Sequence, residues 1–245
     1  MRKAIVTVAA CAALLWVGTA QALSDEHKCL IERAKAKGRY EQCMEKALFK
    51  GYTGGAFGSN AKVAKCRRRY TSTWTKLQTL TASPTCTVPR FVDNGATLTD
   101  NLTGLVWEKK TTEVGSGTDF GQDVGDVDNR YGWTSADGDQ TDEDGTAFTD
   151  FLTTLNAGSG FGSANGWRLP TFKELHTILL PETFPCTTHP CIYPIFGPTQ
   201  SDWYLSATTN SGSPHNAWVV NFFDGYVYPG QKIGTAYVRA VRGGL

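Results

Sequence analysis

The stretch that most constrains this chain runs from Gly166 to Leu175 and reads Gly-Trp-Arg-Leu-Pro-Thr-Phe-Lys-Glu-Leu. Thr171 and Glu174 are spaced as a capping box, in which the Thr hydroxyl accepts from the Glu174 N–H and the Glu carboxylate accepts from the Thr171 N–H. Phe172, Leu175, Ile178 and Leu179 follow at helical spacing, and Pro181 ends the run. Trp167 and Leu169 alternate with Arg168 just ahead. The pattern predicts an extended segment that turns into a helix with a buried aromatic at the corner. It specifies a local fold and identifies no ligand.

Further blocks flank this corner in a fixed order. Upstream are Phe91 to Gly95 and Leu102 to Trp107; downstream are Phe196 to Thr199, Trp203 to Thr208, Ala217 to Phe222 and Val238 to Arg242. With Gly166 to Leu175 they resemble the Lcl C-terminal domain family, a secreted bacterial domain, over residues 88–245. The resemblance implies an α+β fold of the C-type lectin-like group that includes the formylglycine-generating enzyme: twisted antiparallel strands with two helices. It also implies kinship with an adhesin that binds sulfated glycans. The formylglycine chemistry uses cysteines near the C-terminal end of the domain, and this chain has none after Cys191. A degenerate enzyme of that kind is therefore the weakest functional reading, and the expectation is a non-enzyme.

The first residues read as an export signal: a basic Met1-Arg2-Lys3 tip, an apolar run from Ala4 to Gly18 and a small-x-small site at Ala20-Gln21-Ala22. The run is too short for a membrane span, and no other segment is apolar enough for one. The expected place is the periplasm or the cell exterior. The net charge of +1 conceals a division. Residues 23–87 carry 13 Lys and Arg against 5 Asp and Glu, and residues 88–245 carry 9 against 18. That asymmetry predicts a signal peptide (1–22), a basic helical module (23–87) and an acidic domain (88–245).

In the basic module, Asp25 to Phe49 and Ala61 to Leu80 read as two helices around a Gly-rich turn, with Val63, Cys66, Tyr70, Trp74 and Leu77 forming one stripe of the second. An antiparallel hairpin brings Cys43 to Cys66 near the turn and Cys29 to Cys86 at the open end. Four cysteines allow three connectivities, and this geometry favours one. The cysteines lack the Cys-x-x-Cys spacing of a metal site. Lys35, Lys37, Arg39, Lys62, Lys65 and Arg67 to Arg69 form a basic face, sharpest at Arg67 to Arg69, suited to acidic polysaccharide, to lipid phosphate or to the acidic loop of the same chain. No motif for reading nucleic acid is present.

In the acidic domain, Asp93-Asn94-Gly95 and Asp224-Gly225 are hairpin turns. Ala147 to Leu155 has helical spacing, and Tyr237 to Arg242 alternates as a last strand. Cys186 and Cys191 close a short loop, in which His189 invites a zinc reading that a local disulfide outweighs. Between residues 118 and 145, Asp126, Asp128, Asp137 and Asp139 place carboxylates on alternate residues, as calcium loops do. Calcium is thus the one cofactor suggested, against a plain solvated loop.

Strand parity supplies a candidate binding face. Trp203, Leu205 and Ala207 form the more apolar set, leaving Tyr204, Ser206 and Thr208 for solvent. With Asn221 for hydrogen bonds, Tyr226 for stacking and Lys232 and Arg239 for an anionic group, that face suits a glycan. The expected function is an exported, non-catalytic module that binds carbohydrate or a polyanion at the bacterial envelope. The alternative is an envelope scaffold that binds a protein through its helical hairpin.

Overall fold

The structure, a computed structural model, describes residues 24–53, 60–80, 84–112, 123–135, 140–159, 165–181 and 184–244. The signal-peptide reading of residues 1–22, and Asp137 and Asp139, lie outside them. Among the described residues no helix is long and apolar enough to cross a membrane.

Two long helices open the chain: α1, Asp25–Thr53, and α2, Asn60–Leu80, followed by the short α3, Pro84–Thr87. Ser24 caps α1 by accepting from the His27 N–H, and Asp25 and Glu26 sit favourably in its first turn. The helices are stapled by Cys43–Cys66 and Cys29–Cys86, the connectivity that the hairpin geometry predicts. Between the staples, Tyr40 stacks on Tyr70 with ring centroids 4.6 Å apart.

Antiparallel sheets follow. Strands β1 (Phe91–Asp93), β2 (Thr97–Asp100) and β3 (Leu105–Glu108) pair in sequence order. The β1–β2 turn is closed where the Asp93 carboxylate accepts from the Gly95 N–H, and Gly95 takes the positive φ such a turn needs. After β4 (Tyr131–Gly132), residues 147–159 form π-helical turns in place of the regular α-helix expected there. Helix α4 spans Phe172–Thr177. Strands β5 (Trp203–Thr209), β6 (Asn216–Asn221) and β7 (Val227–Gln231) form a second sheet. Finally β8 (Thr235–Ala236) pairs with β4, and β9 (Val241–Gly243) joins the first sheet beside β3. The fold is mixed α+β.

The capping box at α4 is present, and Arg168 clamps it further through two hydrogen bonds to Glu174, of 2.7 and 2.8 Å. The helix is shorter than its apolar spacing predicts, because Leu179 leaves it to bridge Ile192. Trp167 and Leu169 are buried at the corner.

Two apolar clusters form the interior. The first joins Tyr40, Met44, Tyr70 and Trp74 of the hairpin to Leu98, Trp107, Leu175, Tyr204 and Phe222 of the following domain. The second gathers Tyr131, Trp133, Phe151 and Trp167 against Leu205 and Val219. The β5–β6–β7 sheet therefore lies between two cores. The hairpin shares its core with the domain, and hydrogen bonds fix its seat: Tyr40 donates to the Lys173 carbonyl (2.8 Å) and the Val227 N–H to the Asn60 side chain (2.9 Å).

Arg67 is a correction to the basic face, since it is fully buried at this junction, 3.4 Å from the His176 ring, while Arg68 and Arg69 stay exposed. Burial, with the Arg67 charge adding to it, holds His176 well below its ordinary value. A folded-state value below the unfolded one means that the unfolded chain binds the proton more readily. Stability is then complete above about pH 6.5 and declines as pH falls below it. The urea midpoint should fall between pH 7.5 and 5.5, with a His176 contribution of up to about 1.4 kcal/mol per pH unit. His176→Gln should flatten that slope; an unchanged slope would assign the acid sensitivity elsewhere.

Candidate functional site

The face drawn from strand parity is not the open face of the sheet. Tyr204 is buried, stacked on Phe222 at 4.1 Å, with its hydroxyl accepting from the Gln200 N–H. Ser206 is buried and donates to the Trp218 carbonyl. The parity argument assumed one wet face, whereas the first core covers the Tyr204 side of the sheet. Thr208 is half-buried and accepts from the Phe172 N–H at the start of α4. The two proposed anion contacts are also internal. Lys232 lies 3.6 Å over the Trp133 ring and donates to the Thr141 carbonyl. Arg239 donates to the carbonyls of Glu108 and Pro198 and to the Thr199 hydroxyl.

The second core covers only part of the other face. Past Leu205 that face opens into a groove of about 450 Å³, where Trp203 and Tyr228 meet edge to face at 5.1 Å. Tyr226 stacks on Tyr228 at 5.5 Å, which extends the aromatic surface along the hairpin. Asn221 pairs with Trp203 in the register, so it faces the same side; its side chain accepts from the Phe223 N–H. Of the residues predicted for the face, Asn221 and Tyr226 stand beside this groove, next to Trp203 and Tyr228, without lining it; Trp203, Tyr228, Arg130, Asp224 and Gln231 line it and were not selected by parity. Arg130 is held at the rim by Asp202 (3.1 Å) and the Thr235 carbonyl (2.8 Å). Gly230 lines the groove, and any Cβ there would come within 3.0 Å of Val219.

A disulfide backs the turn that brings Asp224 to this groove. Cys186–Cys191 sits against the β6–β7 turn, where a Cβ on Gly225 would lie 3.3 Å from the Cys186 sulfur. The Cys186 N–H donates to the Asp224 carbonyl and the Cys191 N–H to the Phe222 carbonyl. His189, the one residue that suggested zinc here, stacks on Phe223 at 3.9 Å. The loop therefore holds the turn that carries Asp224 and Tyr226, a role invisible in the cysteine spacing.

The acidic segment is built from its own hydrogen bonds. Asp126 is buried, and its carboxylate accepts from the Asp128 N–H at 2.7 Å. Asp128 is exposed and accepts from the Gln200 side-chain amide; Asp123 accepts from the Thr111 hydroxyl and the Gly125 N–H. Among the described residues no group of three or more His, Cys, Asp or Glu is placed to hold a metal ion. In this structure Asp126 closes its own turn, and Asp128 is tied to Gln200.

A charged cluster that the sequence did not flag lies at the end of β3. Glu108 and Lys110 are both buried, 2.7 Å apart, and the second Glu108 oxygen accepts from the Ala240 N–H. Burial raises the Glu108 carboxyl and lowers the Lys110 ammonium. Both groups are closed off by protein, which makes them structural.

A family model for the Lcl C-terminal domain matches residues 96–242. No curated protein and no solved structure matches the chain.

Two outcomes test this geometry. Removing the short disulfide with Cys186→Ser and Cys191→Ser should cost about 2 kcal/mol of stability and increase hydrogen exchange at Phe223 and Gly225. Asp126→Ala should cost about 1 kcal/mol through loss of the turn bond, equally in calcium and in chelator. A loss seen only in calcium would make Asp126 a ligand instead.

Proposed function

The chain belongs to the Lcl C-terminal domain family, and on that premise we propose that it is an exported, non-catalytic module whose groove beside Trp203 binds carbohydrate at the bacterial envelope. The observation that carries this reading is the pairing of a half-buried aromatic surface with convergent polar groups. Trp203, Tyr226 and Tyr228 offer flat apolar faces for the C–H side of a sugar ring. Asn221, Asp224, Gln231 and Arg130 border them with donors and acceptors suited to hydroxyls. Pockets of this kind, mostly apolar with a few placed polar groups, are where small ligands bind. The C-type lectin-like scaffold implied by the family resemblance belongs to the same reading.

Export is supported by the basic-apolar-small pattern of residues 1–22 and by three disulfides, which persist in oxidising compartments. The non-catalytic reading rests on the state of the groove's carboxylates: Asp202 is bonded to Arg130, and Asp224 accepts from the Tyr226 N–H.

A glycan array on the mature chain, followed by calorimetry on the best neutral oligosaccharide, tests the proposal. Trp203→Ala and Tyr228→Ala should each weaken binding about tenfold, the scale of one lost aromatic contact, with little change in melting temperature. The bound sugar should be recovered intact by mass spectrometry after prolonged incubation. Undiminished binding in both variants, or cleavage of the sugar, would overturn the reading.

A further inference from the structure

A second concavity lies between α2 and the edge strand β1. It encloses about 500 Å³ and is lined by Arg68, Trp74 and Thr75 from the helix and by Arg90, Phe91 and Tyr193 from the domain. Residues 68–75 of α2 form one wall, so this cleft lies partly outside the family-matched segment.

Three observations give the cleft a chemistry. First, its floor holds donors without acceptors. Arg90 uses Nε and Nη2 on Asp100, each at 3.0 Å, and lies 4.4 Å over the Phe91 ring. Its Nη1, like the Trp74 indole Nε1, is buried with no hydrogen-bond partner among the described residues. An N–H left unpaired in a protein interior costs about 1–3 kcal/mol, and both atoms are covered by protein, so they leave uncompensated positive dipoles behind the cleft wall. Second, the lip is cationic. Helix α2 contains no Asp or Glu, and its exposed Lys62, Lys65, Arg68, Arg69 and Lys76 form no ion pair among the described residues. Positions 62, 65, 69 and 76 fall on one side of the helix over a rise of about 21 Å, and Arg68 carries the charge to the cleft mouth. Third, Phe91 and Tyr193 supply apolar ring surface, 5.0 Å apart and tilted.

Surplus donors, uncompensated positive charge and aromatic walls in one recess select an anionic group carried on a ring. We infer that the cleft between α2 and β1 binds an acidic saccharide, with a carboxylate or sulfate at the Arg68 lip, a ring against Phe91 and Tyr193, and the chain's next charges along the α2 row. A planar anionic bilayer fits less well: it cannot enter the recess, and the cation row has no exposed apolar side chain to insert. The inference extends the carbohydrate-binding reading to a second site and fails separately from it.

The test uses the mature chain with three probes: alginate oligosaccharides for carboxylate, dextran sulfate oligosaccharides for sulfate, and neutral dextran oligosaccharides. Arg68→Ala removes the lip charge and Thr75→Trp fills the recess from an exposed position; both should keep the native melting temperature. Each should weaken binding of an acidic probe about tenfold. The probe that responds, alginate or dextran sulfate, identifies the anion. Trp203→Ala should leave acidic-probe binding unchanged, while weakening of the neutral sugar by that variant bears only on the first groove. The inference is overturned if neither acidic probe binds, or if both cleft variants bind them as the native chain does. It is likewise overturned if Arg68→Ala reduces binding to phosphatidylglycerol vesicles but not to either acidic saccharide.

Discussion

The three-stranded sheet of β5, β6 and β7 is packed on both faces, fully by the core shared with the hairpin and in part by the second core, and the remainder of the fold follows from that constraint. Tyr204, Val220, Phe222 and Val227 face the core shared with the helical hairpin, and Leu205, Ala217 and Val219 face the other. Each large aromatic in such a layer removes on the order of 150–250 Å² from water, so neither cover can be lifted without exposing a row of them. The hairpin is consequently the missing layer of the domain rather than an appendage. Its charge asymmetry reads differently once Arg33 and Arg67 are placed, because both are buried in the junction and only the outer cations remain to meet a partner.

The same constraint separates what the sequence shows from what it conceals. Local chemistry is legible: the Thr171–Glu174 cap, the turns at Gly95 and Gly225, and the hairpin staples all follow from spacing and backbone preference. Alternation is legible too, since Trp203 and Leu205 do share a face opposite Tyr204. What alternation does not encode is the number of layers. Parity sends Tyr204 and Ser206 to solvent because Trp203, Leu205 and Ala207 are the more apolar set, yet both hydroxyls have backbone partners that allow burial. Lys232 and Arg239 mislead for a related reason. Their charges are held by carbonyls and aromatic faces contributed from distant segments, and no local pattern announces those partners.

The buried charges also show how the loops are fixed. Arg239 bonds to the carbonyl of Glu108 and to Pro198 and Thr199, tying the strand entering the sheet to the turn that precedes β5. Glu108 and Lys110 sit fully enclosed beside it. A buried pair gives little net stability over an apolar replacement, but removal of one member leaves an uncompensated charge that is strongly destabilising. Their contribution is to define one arrangement of the backbone where β3 ends.

The small disulfide loop has a consequence for the kinetics of recognition. A turn held by the Cys186–Cys191 loop pressed onto Gly225 carries Asp224 into an encounter in a fixed shape. Little conformational entropy then remains to be lost when a ligand arrives. Arrival rates should accordingly differ little from one glycan to the next, and discrimination among them should reside in how long each remains, so that residence time becomes the quantity through which this surface distinguishes its ligands.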